Sequence, residues 1–259
     1  MLEINQLTKH FSEGWLKKTI TYAVQDVSFT LPAGKTFGLM GTSGSGKSTV
    51  AKLITGLLRP TAGEIKYQGS KLTGLSRSHW QPFRRKIQLI FQQPTQSLDP
   101  RQTILDALLE PLFAHKIVSS RRQGLVKIEH LLTLTKLSAD ILPKYPWQIS
   151  GGQAQRIAIA RVLGLEPEII IADEPTSMLD LSVQAQILTL LKDIQQQASL
   201  SLLLISHDPD VIKACADQAA IMVSGKIVAA GHPADILPQS GSLLALRRSI
   251  LQQCTGGIP

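Results

Sequence analysis

Eight consecutive residues, Gly41-Thr42-Ser43-Gly44-Ser45-Gly46-Lys47-Ser48, carry the most specific chemistry in the chain. They match G-x-x-x-x-G-K-[ST], the phosphate-cradling loop. The apolar run Phe37–Met40 precedes them and the amphipathic run Thr49–Ile54 follows, which is the strand–loop–helix setting the motif needs. Glycine lets the backbone curl until several N–H groups converge on one anion at the positive end of a helix. Gly41, Ser43, Gly44, Ser45, Gly46 and Thr49 would line such a cradle. Lys47 would add a point charge at the β- and γ-phosphates, and the Ser48 hydroxyl would hold Mg²⁺. The stretch reads as a nucleoside triphosphate site.

Two further clusters fit that reading. Ile169–Ala172 is an apolar run ending in Asp173-Glu174. Acids at a strand end beside a phosphate loop suit a triphosphatase, the first supporting the metal shell and the second deprotonating the attacking water. Ser150-Gly151-Gly152-Gln153 opens a helix with a serine and two glycines, and its N–H groups would form a second anion site.

The elements that must position these groups alternate strand with helix. Leu2–Asn5 and Val24–Leu31 have the alternation of strands, and the polar, aromatic stretch Phe11–Tyr22 between them reads as a loop carrying Phe11, Trp15 and Tyr22. Lys35–Met40 is expected as the strand feeding the phosphate loop. A helix follows Ser48, with Val50, Leu53, Ile54, Leu57 and Leu58 on one face, and stops at Arg59-Pro60. Ile87–Phe91 reads as a buried strand. Thr103–Ile149 is helix-like, with breaks at Pro111, Pro143 and Pro146. Gly151–Leu163 and Ser182–Gln197 are helices, Ile169–Ala172 and Leu202–Ile205 strands. Asp208-Pro209 would cap and begin a helix, and Ser224-Gly225 would join two short strands. Residues 1–92 and 151–240 are then a nucleotide-binding α/β core, 93–150 an inserted helical lobe, and 241–259 a C-terminal tail. Such alternation predicts a largely parallel sheet with helices on both faces.

Composition narrows the class. With 259 residues, 43% hydrophobic and 18% charged, the chain can build a globular core. Its two cysteines, Cys215 and Cys254, lack metal-ligand spacing and read as free thiols. No apolar run reaches the roughly 18 residues a bilayer span needs, and the start lacks a signal peptide's regions. The expectation is a soluble cytoplasmic protein. The net charge of +8 permits anionic partners, but the basic residues are dispersed, Arg84-Arg85-Lys86 and Arg121-Arg122 being the densest groups. Nucleic acid is therefore not expected as a partner.

The phosphate loop, Gln92, Ser150–Gln153, Asp173-Glu174, Leu179-Asp180 and Ser206-His207-Asp208 occur in the order typical of ABC ATPases, which the chain resembles over nearly its whole length. The resemblance implies an α/β fold: a P-loop NTPase (RecA-like) core with an antiparallel β subdomain and an inserted α-helical subdomain. It implies ATP and Mg²⁺ as ligands. It also implies a head-to-tail dimer in which each ATP lies between the phosphate loop of one chain and Ser150–Gln153 of the other. By position, Gln92 would sense the γ-phosphate, touch the metal or water and couple to the transport subunit, Asp173 would support Mg²⁺ through water, and Glu174 would be the general base. His207 would position the γ-phosphate and attacking water, Asp180 would sit in the loop near the partner, and Phe11 would stack on adenine.

Several stretches resemble the subfamily serving oligopeptide, dipeptide and nickel importers. They are Phe91–Pro94 with Ser97–Arg101, Tyr145-Pro146, and Ala172–Leu188. The departures are Asp99 where Asn is usual, Ile149 for Leu, Met178 for Ala, and Pro209 for an apolar residue. Subfamily members often carry a longer C-terminal extension, and the ending at Pro259 leans toward a metal or metallophore importer. The resemblance implies a paralogous ATPase chain or a second copy as partner and two integral-membrane permeases. An extracytoplasmic solute-binding protein would take part indirectly, with the chain peripheral on the cytoplasmic face of the inner membrane. An exporter or lipid-extraction ATPase is the rival reading, and a nucleic-acid- or ribosome-acting protein a more distant one.

Overall fold

The structure is a computed structural model, and residues 1–13 and 19–237 are described. Trp15, the expected tail 241–259 and Cys254 lie outside them. In chain order come β1 (Leu2–Glu13), β2 (Thr19–Leu31), β3 (Thr36–Gly41), α1 (Lys47–Ile54), β4 (Ala62–Tyr67) and β5 (Ser70–Lys71). Then follow α2 (Gln81–Lys86), β6 (Ile87–Ile90), α3 (Ile104–Ala114), α4 (Arg121–Leu134), α5 (Gly151–Leu163) and β7 (Ile169–Asp173). The chain continues with α6 (Leu181–Gln197), β8 (Ser201–Ser206), α7 (Pro209–Cys215), β9 (Gln218–Val223), β10 (Lys226–Gly231) and α8 (Pro233–Ile236). These elements fall into two compact units, one holding Met1–Leu75 and Leu203–Pro259, the other Ser76–Leu202.

The first unit contains an antiparallel sheet in the order β2-β1-β4-β5. It also contains β10, β9, β3 and the last four residues of β8, with β3 parallel to β9 in the register Phe37↔Gln218 to Gly41↔Met222. All six residues of β3 are buried, the continuous apolar signature of a strand covered on both faces. Ser224 at φ 44° and Gly225 at φ 84° make the tight turn from β9 to β10, as the Ser-Gly pair predicts.

Phe11–Tyr22 differs from expectation: its described ends are strand, not loop. Phe11 pairs with Thr21 and His10 with Tyr22, extending β1 and β2 into a hairpin. The β-branched run Thr19-Ile20-Thr21 favours the pleated surface over a loop, a signal that the polar neighbours obscure. The first helix is also shorter than expected. It ends at Ile54 because Gly56, at φ 69°, takes the left-handed turn after the cap residue Thr55, and Leu57 is exposed.

In the second unit β6 and β7 are parallel, Ile87↔Ile169 to Ile90↔Ala172. Leu98, Ile104, Leu108, Leu112, Ile128, Leu131 and Ile157 form the centre of its helical core. Pro111 was expected to break a helix, yet it lies inside α3. The missing N–H removes one bond of the helical ladder, but Ile104, Ala107, Leu108, Leu109 and Leu112 bury α3 on both sides of it, and that burial holds the helix through the proline. The break comes later, at Lys116 with φ 55°.

Candidate functional site

The phosphate loop runs from the buried end of β3 into α1. Gly46 is the N-cap, at φ 105°, and no side chain caps the helix, a start suited to an external anion. Gly44, at φ 79°, faces open space: a Cβ built there would meet nothing within 4 Å. Gly46 is the opposite case. Its Cβ would lie 2.1 Å from the Ala23 carbonyl oxygen, so backbone passes directly behind the loop. Ala23 is there because the β1–β2 register steps from Lys9↔Val24 to His10↔Tyr22, leaving it as a bulge that turns its carbonyl toward the loop. Gly225 completes the backing: its N–H donates to the Ser45 carbonyl at 3.0 Å and its carbonyl accepts from Gln25 N–H at 2.7 Å. Ala23 carries no chemistry in its side chain, so sequence reading passes over it, and Gly225 is read there only as part of a turn.

The Lys47 side chain is buried and its Nζ donates to the carbonyls of Gly41 (2.8 Å) and Thr42 (2.9 Å). The ammonium is thus held across the concave side of the loop. Ser43, Gly44 and Ser48 are exposed, and Thr49 is half-buried. An uncapped helix start, a buried ammonium and an open glycine concavity fit a bound triphosphate.

His207 follows β8 and is exposed. The residues around it are tied down. Asp208 N–H donates to Ser206 Oγ at 3.0 Å, and Asp208 Oδ1 accepts from Asp210 N–H at 2.8 Å, capping α7. Phe11 is 40% exposed on β1 with Lys9 Nζ 5.2 Å from its ring centroid. Tyr22 makes an edge contact with His10, centroids 5.5 Å apart. Because His10 and Phe11 alternate along one strand, Phe11 and Tyr22 present their rings on opposite faces of the hairpin.

The second unit gathers the acids. β7 ends at Asp173, which is buried, and the next residue turns sharply: Glu174 has φ 47°, a left-handed conformation that costs a side-chain-bearing residue about 1–3 kcal/mol. That turn places the carboxylate against Gln92. Gln92 Nε2 donates to Glu174 Oε2 at 3.1 Å and to Ser177 Oγ at 3.3 Å. Ser177 Oγ in turn donates to the Glu174 carbonyl at 3.2 Å. Two residues far apart in sequence, singled out as γ-phosphate sensor and general base, are therefore in contact. Ser177 is a third member that the sequence reading did not single out; its place in the run after Glu174 was the available signal.

Ser150–Gln153 opens α5 as expected, with a reciprocal cap. Ser150 Oγ accepts from Gln153 N–H at 3.3 Å, and Gln153 Oε1 accepts from Ser150 N–H at 3.0 Å. The N–H groups of Gly151 and Gly152 have no acceptor among the described residues. A side chain would clash at Gly152 and be tight at Gly151. A Cβ on Gly152 would come within 2.7 Å of Val183 Cγ1, and one on Gly151 within 3.3 Å of Leu179 Cδ2. The helix start thus rests on the segment Leu179–Val183. Within it Asp180 caps α6, its Oδ1 accepting from Val183 N–H at 3.0 Å, which accounts for its residue type independently of any ligand.

Asp99, where the subfamily pattern has Asn, has a local partner. Arg101 Nε and NH2 each donate to one carboxylate oxygen at 3.1 Å, and Arg101 N–H adds a bond of 2.9 Å. These bonds hold Asp99 below the ordinary carboxylate value.

A sequence profile described as ABC transporter matches residues 24–177. The oligopeptide transport ATP-binding protein OppF of Bacillus subtilis is 41% identical over 254 residues, covering 95% of this chain and 81% of that protein. The di/tripeptide transport ATP-binding protein DppF of Pseudomonas aeruginosa is 41% identical over 92% of this chain and 74% of its own length. Among solved structures, the dimeric post-hydrolysis state of the ATP-binding cassette MJ0796 with ADP and Pi superposes with a TM-score of 0.81 at 31% identity. It covers 90% of this chain and 99% of its own. CbiO1 of Clostridium perfringens, part of the ABC transporter complex cbiONQ, gives 0.80 at 25% identity, covering 97% and 94%. Among the described residues no helix is long and apolar enough to cross a membrane.

Proposed function

The chain belongs to the ABC transporter family as an ATP-hydrolysing cassette, and we propose that it powers an importer of peptides. The observation that carries the hydrolytic half of this reading is the Gln92–Glu174 hydrogen bond. It joins the residue that reads the γ-phosphate to the base that activates water, so water activation is gated by the same amide that senses the nucleotide. Glu174 takes the water proton; Lys47 and the loop N–H groups bind the phosphates; His207 orients the γ-phosphate and water; Phe11 stacks on adenine. Ser48, Gln92 and Asp173 are the residues to hold Mg²⁺, which when bound neutralises charge on the phosphate oxygens.

The trans arrangement is supported by two separate anion-suited helix starts, one uncapped at Gly46 and one at Gly151, and by the dimeric state named for MJ0796. We read the assembly as a head-to-tail dimer, with a paralogous chain or a second copy, on two permeases at the cytoplasmic face of the inner membrane, served by an extracytoplasmic solute-binding protein. Peptides are favoured over nickel or metal chelates because the relatives named above are peptide-transport proteins. The test is ATP-dependent uptake by vesicles carrying the reconstituted permeases, this chain and the binding protein. Peptide accumulation that stops with Glu174→Gln supports the reading. Accumulation of a metal chelate but of no peptide overturns the cargo.

A further inference from the structure

Ser177 closes a ring of hydrogen bonds that joins the Gln92 side chain to both the carboxylate and the backbone carbonyl of Glu174. Its half-buried hydroxyl has a single proton and gives it to the Glu174 carbonyl oxygen at 3.2 Å. Toward Gln92 the hydroxyl can therefore only accept, and Gln92 Nε2 donates to it at 3.3 Å. The same nitrogen donates to Glu174 Oε2 at 3.1 Å. A carboxamide has a nitrogen end and an oxygen end of nearly identical shape. Turned over, it would set Oε1 against a carboxylate oxygen and a hydroxyl lone pair, acceptors with no proton between them. Both neighbours thus require nitrogen on this side. Gln92 Oε1, which accepts from no described residue, is left to other partners.

Only one of the two neighbours keeps that requirement through a turnover. Under the proposed mechanism Glu174 takes a proton from water, and a protonated carboxyl donates as well as accepts. It then no longer discriminates between the two ends of the amide. The Ser177 hydroxyl gains and loses no proton over the cycle, because its own stays committed to a backbone carbonyl. That carbonyl also accepts the Ser177 N–H at 3.3 Å, which pins the residue to the left-handed turn at Glu174. We infer that Ser177 is a positioning residue: its hydroxyl holds the Gln92 carboxamide with nitrogen toward Glu174 while that carboxyl is charged and after it is protonated. Oxygen is the end of a carboxamide that ligates a hard cation. The inference deepens the role of Gln92 and rests on Gln92 and Glu174 acting as sensor and base.

The test compares the full chain with Ser177→Ala and Ser177→Thr. The side-chain amide proton resonances of Gln92, assigned by their loss in Gln92→Ala, should move upfield in Ser177→Ala and stay in place in Ser177→Thr. Turnover should fall on the order of fivefold in Ser177→Ala, the effect of one neutral hydrogen bond, with KM for ATP unchanged. Ser177→Thr keeps the hydroxyl and should match the parent. Because Ser177 acts through Gln92, adding Ser177→Ala to Gln92→Ala should cost nothing further, a coupling that a residue merely bracing the turn would not show. Additive losses, or an equal defect in Ser177→Thr, would overturn the role. Glu174→Gln measured alongside separates the two questions. If it is inactive, a Ser177→Ala chain indistinguishable from the parent overturns the positioning role alone. If it keeps parental turnover, the base assignment falls and the positioning role falls with it.

Discussion

At the residue scale the proposed hydrolysis turns on Glu174. Its carboxylate accepts from Gln92, and its backbone sits at φ 47°. Glu174→Gln should bind ATP normally and lose turnover by about 10²–10⁴-fold, the usual effect of removing a general base, as single-turnover hydrolysis would show. Glu174→Gly should be equally inactive yet more stable by roughly 1 kcal/mol in denaturant unfolding, because glycine relieves the left-handed strain. A glycine variant less stable than the parent would mean the turn is not strained. Glu166 supplies a pH prediction. The Lys127 hydrogen bond, with the Arg85 charge adding to it, holds its carboxyl below the ordinary value of 4.5. A depressed carboxyl stabilises the fold above 4.5 and loses that contribution as pH falls through its folded value. The stability advantage over Glu166→Gln should therefore be below about 1 kcal/mol at pH 7, since Glu166 is more than half exposed, and should be lost as pH falls below 4.5 through the lowered folded value. Residue types were the readable layer here: the phosphate loop, Gln92, Ser150–Gln153 and the acid pair are all recognisable by chemistry and order. Ser177 and Ala23 were not, because one is an ordinary hydroxyl and the other acts through its carbonyl.

At the element scale the phosphate loop depends on what stands behind it. Gly46→Ala would drive a methyl into the Ala23 carbonyl while forcing alanine to φ 105°. It should abolish binding of a fluorescent ATP analogue, whereas Gly44→Ala meets only backbone strain at φ 79° and should retain measurable binding. In α3, Pro111→Ala restores a helical N–H and should raise stability by about 1–3 kcal/mol, read as a higher denaturant midpoint. Strand–helix alternation was legible from hydrophobic period, and residue type disclosed the helix opening at Ser150–Gln153 and the cap at Asp208. The hairpin and the persistence of α3 were not. Local rules weigh a proline or a polar run by themselves, while long-range burial and cross-strand pairing decided both cases.

At the scale of the whole molecule, the proposed dimer would take two different halves of a catalytic site from each chain. One half is the loop ending in Lys47 and Ser48; the other is the start of α5 with Gly151 and Gly152 presenting N–H groups. If these act on one nucleotide only across two chains, hydrolysis belongs to the dimer and not to the subunit. Nothing in hydrophobic pattern or charge discloses that; the proposal rests on the family's motif order and on the two helix starts at Gly46 and Gly151. The most direct test is ATP turnover per chain measured against protein concentration, for this chain alone and with its partner ATPase, with molar mass from light scattering at each point. Turnover per chain should rise in proportion to the dimer fraction. The same turnover per chain from a demonstrated monomer would contradict the account.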